Sequence, residues 1–134
     1  YVIKNTLVDL AKYDKILFFD SDDILAPGTI EKMDVALQNA QYVKLNYVNF
    51  QYKPRNDGHV MNDAVIAIRK RDFNSLNGFY PWRCGADTEF HKRLEYNKFV
   101  CKTLDGVSYY RRLHGENLTL RKVYLLPLKT HAWL

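Results

Sequence analysis

The chain has 134 residues, 47% hydrophobic and 26% charged, enough length and apolar content for one hydrophobic core and too much for a disordered chain. Its formal charge of +5 suits an anionic ligand such as a phosphate. The basic residues are scattered, with "RKR" at 69–71 and "RR" at 111–112, and without the basic-aromatic weave of a nucleic-acid groove no nucleic-acid partner is expected.

No apolar run approaches the roughly 20 residues that span a bilayer, so no transmembrane segment is expected. Cys84 and Cys101 have no CxxC or ligand spacing. They read as reduced thiols of a cytoplasmic protein, soluble or peripheral to a membrane face, with a single disulfide as the alternative. The first residues, "YVIKNTLVDLAKYDK", lack the basic-then-apolar order of a signal peptide and any initiator Met, so the chain reads as a fragment or trimmed piece.

In chain order, the spacing over 2–13 predicts a helix with Leu7, Leu10 and Ala11 on its inner face and Val2 or Ile3 a turn earlier. Ile16 to Phe19 reads as a buried strand that runs into an acid cluster. "APGT" at 26–29 predicts a turn, then a helix capped by Thr29 and carrying Ile30, Met33, Ala36 and Leu37. Tyr42 to Tyr52 reads as a strand. Asn56-Asp57-Gly58 marks a turn within 53–59, and Val60 to Arg69 returns as a strand.

A short helix is expected from Arg71 to Asn77, closed by Gly78. After the loop "FYPWRCGA", a second runs from Asp87 to about Asn97, with Phe90, Leu94 and the stem of Arg93 facing inward. Short strands flank the Asp105-Gly106 turn, at Phe99 to Thr103 and Val107 to Arg111. The order is mixed α/β with a hairpin in its second half, in one domain. Residues 1–52 hold the acid-tipped strand and the helix and strand after it. Residues 53–120 form a second region, and 121–134 a tail that fits either a helix or an extended arm.

Three polar groups stand out. In Asp20-Ser21-Asp22-Asp23 three carboxylates follow the strand "KILFF". Ligands of open α/β sheets sit at the carboxyl ends of strands. Carboxylates are also the hard donors that Mg²⁺ or Mn²⁺ uses to bridge a protein to substrate phosphates. A bare turn would leave close like charges uncompensated. In "WRCGADTE" at 82–89, an aromatic and a cation precede a helix opening on two carboxylates. Asp87 and Glu89 suit a helix's first turn for dipole reasons alone. The functional reading makes Asp87 a proton acceptor and Trp82 a flat face for a sugar ring. In "YYRRLHGENLT" at 109–119, His114 is a candidate metal ligand and Arg111 and Arg112 candidate phosphate grips. Asn117-Leu118-Thr119 also matches a glycosylation sequon.

In this order the three groups resemble the catalytic domain of family 2 glycosyltransferases, which have the GT-A fold. "KILFFDSDD" followed by "APGTIEKM" resembles that family's strand, DxD motif and following helix. "IRKRDFNSLNGFYP" is similar to its segment leading into a Gly-Gly-Phe turn. "GADTEFHKRL" resembles its Glu-Asp motif, and "RRLHGENLT" its late Arg/His segment. The resemblance covers roughly 1–120 and implies an α/β GT-A fold, a mixed sheet flanked by helices. It implies metal-dependent, inverting transfer of a sugar from a nucleotide-diphosphate sugar, a UDP-sugar foremost, to the hydroxyl of a glycan or other acceptor. The cofactor would be Mn²⁺ or Mg²⁺.

Carried across residue by residue, Asp87 would be the catalytic base. Asp20, Asp22, Asp23, Arg111 and Arg112 would hold the donor and its diphosphate, and Trp82, Arg83 and Glu89 the acceptor. Asp22, Asp23 and His114 would ligate the metal.

The chain departs from the family in having Asn77 for the first glycine of the turn and Ala86 where a Glu is common, with Glu89 as the substitute. It also starts at the helix before the DxD strand. The family's first βαβ units, roughly a hundred residues from domain size, are therefore expected to be absent with their nucleotide pocket. The sheet edge so exposed is a route to self-association. Two alternatives remain. One is a non-catalytic remnant of the fold that binds a sugar or partner. The other is a phosphatase resembling the haloacid dehalogenase superfamily, with Asp20 as nucleophile, Asp22 as acid/base and Ile24 in its Thr/Val place.

Overall fold

The computed structural model describes residues 1–54, 58–61 and 66–114. Within them the chain forms helices α1 (Val2–Leu10), α2 (Thr29–Ala36), α3 (Lys70–Ser75) and α4 (Ala86–Tyr96). The strands are β1 (Lys15–Leu17), β2 (Ile24–Leu25), β3 (Tyr42–Lys44), β4 (Tyr47–Phe50), β5 (Val60–Met61), β6 (Ile66–Arg69), β7 (Cys101–Thr103) and β8 (Tyr109–Arg112). The expected tail, the sequon and the turn tip at Asn56 and Asp57 lie outside the described residues.

The strands make two mixed sheets, ordered β1-β6-β3-β7 and β2-β8-β4-β5. The expected strand over 42–52 is divided between them. Leu45 and Asn46 step from β3 in the first sheet to β4 in the second. Across from that step, Leu104 N–H donates to the Lys44 carbonyl at 3.0 Å and Ser108 N–H to the Asn46 carbonyl at 2.8 Å. The Asn46 amide spans the gap by donating to the Leu104 carbonyl at 2.9 Å.

The turn at Asp105-Gly106 therefore closes no hairpin. Cys101–Thr103 runs parallel to β3, and Tyr109–Arg112 runs parallel to β4. The antiparallel return of the second half is instead shared by β3 with β6 and β4 with β5.

Alternation along β6 fills both faces of the first sheet. Ile66 and Ile68 join Tyr42, Val8, Phe73, Phe90 and Leu94 beneath α1, α3 and α4. Ala67 turns the other way, with Val43, Leu45, Leu104, the α2 residues Met33 and Ala36, and Leu37 at the helix's C-cap. The first core is aromatic. Phe79 lies 5.0 Å from Phe18, 5.2 Å from Phe73 and 5.1 Å from Phe90 between ring centroids. Each such pair adds roughly 0.5–1.5 kcal/mol beyond the area it buries.

Two helices differ from expectation. In α1 the predicted inner face points outward: Ile3 is 75% and Leu10 72% exposed, while Val8 is buried. A polar clasp decides this rotation. The Asn5 amide donates to the Phe79 carbonyl at 2.8 Å and accepts the Phe79 N–H at 3.0 Å, which turns the Tyr1, Asn5, Val8 stripe to the core. In α2, Gly28 at φ 75° is the N-cap, and Thr29 is instead the first helical residue. Its buried hydroxyl donates to the Ser108 carbonyl at 2.7 Å, tying α2 to the start of β8.

β1 lies at the end of its sheet among the described strands. Phe18 N–H donates to the Ile66 carbonyl of β6, and the Asp14 carbonyl accepts the N–H of Lys70, the first residue of α3. The intervening Lys15 and Leu17 therefore aim their backbone groups away from β6, where no described strand lies. The strand that leads into the acid cluster is thus an edge strand. No helix among the described residues is long and apolar enough to cross a membrane.

After α3 the chain reverses through Asn77 and Gly78, at φ 61° and 64°. A Cβ at position 78 would stand 2.8 Å from Asn5 Oδ1 and 2.9 Å from Phe73 Cε1. Gly78→Ala therefore combines left-handed strain with overpacking, and an expected loss of about 2–4 kcal/mol is checked by urea denaturation.

Candidate functional site

β1 ends at Leu17, and Phe18 and Phe19 carry the chain to Asp20 at the sheet's edge. The chain turns at once, with Asp23 N–H donating to the Asp20 carbonyl at 3.3 Å. β2 then pairs antiparallel with β8, placing Ile24 opposite Tyr110. That pairing brings the acid cluster and the late Arg/His segment together across about ninety residues of sequence. The Arg112 backbone N–H donates to Asp23 Oδ1 at 3.0 Å, and its Nε to the Asp22 carbonyl at 3.0 Å.

A cavity of about 200 Å³ opens at this junction. Asp20, Asp23 and Asp87 contribute carboxylates to its lining, and Lys4 and Arg111 contribute cations. The wall between them is aromatic: Tyr47 and Tyr109 stack at 5.2 Å, and the Arg111 guanidinium lies 5.6 Å from the Tyr47 ring. Phe18 and Phe79 belong both to the lining and to the core, so well-packed residues form the floor.

Asp22 stands beside this cavity, its Oδ2 2.7 Å from His114 Nε2. The His114 hydrogen bond is the main cause holding the Asp22 carboxyl below its ordinary range, with the Arg112 charge assisting. Asp23 is shifted upward instead. Burial is the largest cause, the Arg112 N–H opposes it, and the nearby Asp22 and Asp20 charges reinforce it. Asp23 therefore sits in an environment that disfavours its charge.

Asp23→Asn keeps an acceptor for the Arg112 N–H and removes the half-buried charge. It is expected to stabilise the ligand-free protein by about 0.5–1 kcal/mol while weakening cation binding. Thermal melts with and without Mn²⁺ check both effects.

Asp87 lies in the first turn of α4, whose N-cap is Gly85 at φ 80°. Its Oδ1 accepts the Thr88 N–H at 2.8 Å. The other acceptor-side expectations are not gathered here. Trp82 and Arg83 lie on the exposed loop before α4, outside the cavity lining. Trp82 packs 5.8 Å from Tyr80.

Glu89 receives Arg93 Nε at 2.6 Å and Nη2 at 2.8 Å. Arg93 Nη2 also donates to the Gly78 carbonyl at 2.7 Å, and the guanidinium stacks 4.1 Å from the Tyr80 ring. Glu89 thus braces α4 against the loop after α3 and does not substitute at the cavity for a Glu at position 86. Ala86 is itself fully buried in the core beneath α4.

Sequence reasoning missed Lys4, Tyr47 and Tyr109 at the cavity. Lys4 Nζ lies 3.6 Å from Asp20 Oδ1, although its position in an amphipathic helix signals nothing of that. Tyr47 and Tyr109 sit among β-forming residues, where a tyrosine reads as core. Only the pairing of β4 with β8, which sets Tyr47 opposite Tyr109, makes them a wall.

The metal expectation can be tested against these donors. Among the described residues no cluster of three His, Cys, Asp or Glu side chains is placed to hold an ion. Asp22 and His114 converge to 2.7 Å, close to the ~3 Å that separates neighbouring ligands in an octahedron with 2.0–2.1 Å bonds. Asp23 commits one oxygen to the β8 backbone. This chain therefore offers two converging donors of suitable chemistry with a third carboxylate adjacent.

No protein-family model matches the chain, and no curated protein matches it.

Proposed function

We propose that the chain carries the metal–diphosphate and base half of a GT-A glycosyltransferase of the family 2 type, acting on a UDP-sugar. The observation that carries this reading is convergence. Asp20, Asp23, Arg111 and Asp87, from three segments far apart in sequence, line one cavity, and Asp22, next to Asp23 in the chain, meets His114. A fold-building account explains each residue singly but gives no reason to gather three carboxylates around two cations. The two mixed sheets with helices on both faces are compatible with that fold.

In this reading Asp22 and His114 would hold Mn²⁺ or Mg²⁺, and such an ion would supply positive charge to offset that of a leaving diphosphate. Arg111 and Lys4 face the phosphate oxygens, and Arg112 holds the acid turn in place through Asp22 and Asp23. Asp87 accepts the proton of the acceptor hydroxyl as its oxygen bonds to the anomeric carbon. The bond from that carbon to the diphosphate breaks, its electron pair leaves with the diphosphate, and the configuration inverts. The 200 Å³ cavity falls below the ~300–1,000 Å³ of small-molecule pockets, a size suited to a sugar–phosphate end rather than a whole nucleotide sugar.

Calorimetry of UDP with and without Mn²⁺, alongside a turnover assay with UDP-sugars, tests the proposal. Mn²⁺-dependent UDP binding is expected, and its absence together with absent turnover would sink the reading. The ion pair of Lys4 with Asp20 favours one second reading, in which Asp20 is a phosphatase nucleophile. Covalent phosphate trapped on Asp20, and lost in Asp20→Asn, would support it.

A further inference from the structure

The two arginines of β8 leave the sheet on opposite faces. β8 runs parallel to β4, with Tyr47 opposite Tyr109, Asn49 opposite Arg111 and Phe50 opposite Arg112. Successive side chains of a strand alternate between faces, so Tyr47, Tyr109 and Arg111 share one face and Phe50 and Arg112 the other. Arg112 stays with its own pair: its guanidinium lies 4.7 Å from the Phe50 ring, and its Nε donates to the Asp22 carbonyl at 3.0 Å. Arg111 lines the cavity, together with both tyrosines.

On that face Arg111 reaches back to Tyr47, two positions along the neighbouring strand from its register partner. The guanidinium lies 5.6 Å from the centre of the Tyr47 ring, inside the ~6 Å reach of a cation–π contact. Its Nη1 also donates to the Tyr47 hydroxyl at 3.4 Å, a long bond that reinforces the ring contact. The tyrosine is a fixed support. Its side chain is buried, its ring stacks on Tyr109 at 5.2 Å, and Tyr109 meets Phe19 edge-on at 5.9 Å. Phenylalanine could make that stack equally well, so the hydroxyl adds only what it gives Arg111.

We propose that Tyr47 is the positioning residue of Arg111: its ring and hydroxyl together seat the guanidinium at the cavity, aligned for a phosphate before the donor arrives. The proposal rests on the reading of Arg111 as a phosphate grip. An arginine ordered only by its ligand gives up the freedom of a long side chain on binding, a cost that a preformed seat removes. The guanidinium is a rigid planar fork that recognises phosphate only in certain orientations, so fixing its plane also fixes what it can hold. The pairing of β4 with β8 builds the seat, and Tyr109 backs it.

A double-mutant cycle on the full chain, read by calorimetry of UDP with Mn²⁺, tests this. Tyr47→Phe keeps the ring and its stack, and is expected to weaken UDP binding about two- to threefold. Tyr47→Leu also removes the π-face, for a loss of about tenfold. Arg111→Gln alone is expected to cost at least ~tenfold, and either Tyr47 substitution added to it costs nothing further. Equal losses from Tyr47→Phe with and without Arg111 overturn the proposal, because a tyrosine that only supports the fold acts in both backgrounds. UDP affinity unchanged in Tyr47→Phe and Tyr47→Leu overturns it as well. A second measurement needs no ligand. The Arg111 Nε–H resonance, assigned by its loss in Arg111→Gln, is expected to shift in Tyr47→Leu as the ring current disappears. A wild type that binds no UDP sinks the transferase reading, and the resonance then decides the seat by itself: a signal indifferent to both Tyr47 substitutions overturns it.

Discussion

Asp87→Asn is expected to lower sugar transfer at least ~10²-fold while Mn²⁺-dependent UDP affinity stays within about twofold. Asparagine keeps the shape of the side chain and an oxygen for the Thr88 N–H, which Asp87 Oδ1 accepts at 2.8 Å. It loses the negative charge, and with it the capacity to take a proton. Asp87 lies on α4, far along the chain from Asp22 and on a different element from His114, and those two bond each other, so the variant leaves the proposed cation donors in place. Helix α4 retains its core anchors, Phe90 and Leu94, both fully buried. Steady-state kinetics paired with calorimetry separate the two effects. Equal loss of transfer and UDP affinity would make Asp87 a structural residue and remove the base from the proposal.

Asp22→Asn is expected to cost Mn²⁺-dependent UDP binding about 10²-fold, the upper part of the range seen when metal sites are disturbed. In wild type the carboxylate is held in its charged form by the His114 hydrogen bond and the Arg112 charge, so it is ready to ligate near neutral pH. The amide can still bond His114 but offers a cation far less charge. EDTA should bring wild type down to the variant's level, and melting temperatures should stay close because both side chains are partly exposed, at 42% for Asp22 and 36% for His114. A variant that retains full Mn²⁺ dependence would move the cation to other donors.

The two substitutions read different halves of one site. Asp22→Asn acts on ground-state binding of the diphosphate, whereas Asp87→Asn acts on a step reached only after binding. Opposite patterns in affinity and kcat are therefore the signature of the proposed division of labour.

Much of the secondary structure was legible because local signals carry it. A short helix precedes Gly78 as expected, although it runs from Lys70 to Ser75 and Asn77 already takes a left-handed turn. The period of Phe90 and Leu94 marks the inner face of α4, and Arg93 faces inward as its spacing suggests. The failures share a cause. Leu7 and Leu10 form the better apolar face of α1, yet two hydrogen bonds from Asn5 to Phe79 outweigh them and turn that face outward. Thr29 has the chemistry of a cap, but a buried carbonyl at Ser108 claims its hydroxyl. Glu89 stands three residues from Ala86 and reads as its substitute, until Arg93 takes both its oxygens.

By itself, the sequence determined the mixed α/β order, the acid cluster after an apolar strand, and Asp87 at a helix start. These are features of neighbouring residues, and 3.6- and 2-residue periods with turn chemistry suffice to reveal them. Only the tertiary structure decided that Asp20, Asp23, Asp87 and Arg111 share a cavity, that Asp22 meets His114, and that Lys4 reaches Asp20 from α1. Those contacts depend on β2 pairing with β8 and on the rotation of α1, and both are set by partners distant in sequence. No local pattern encodes which strand will lie beside which.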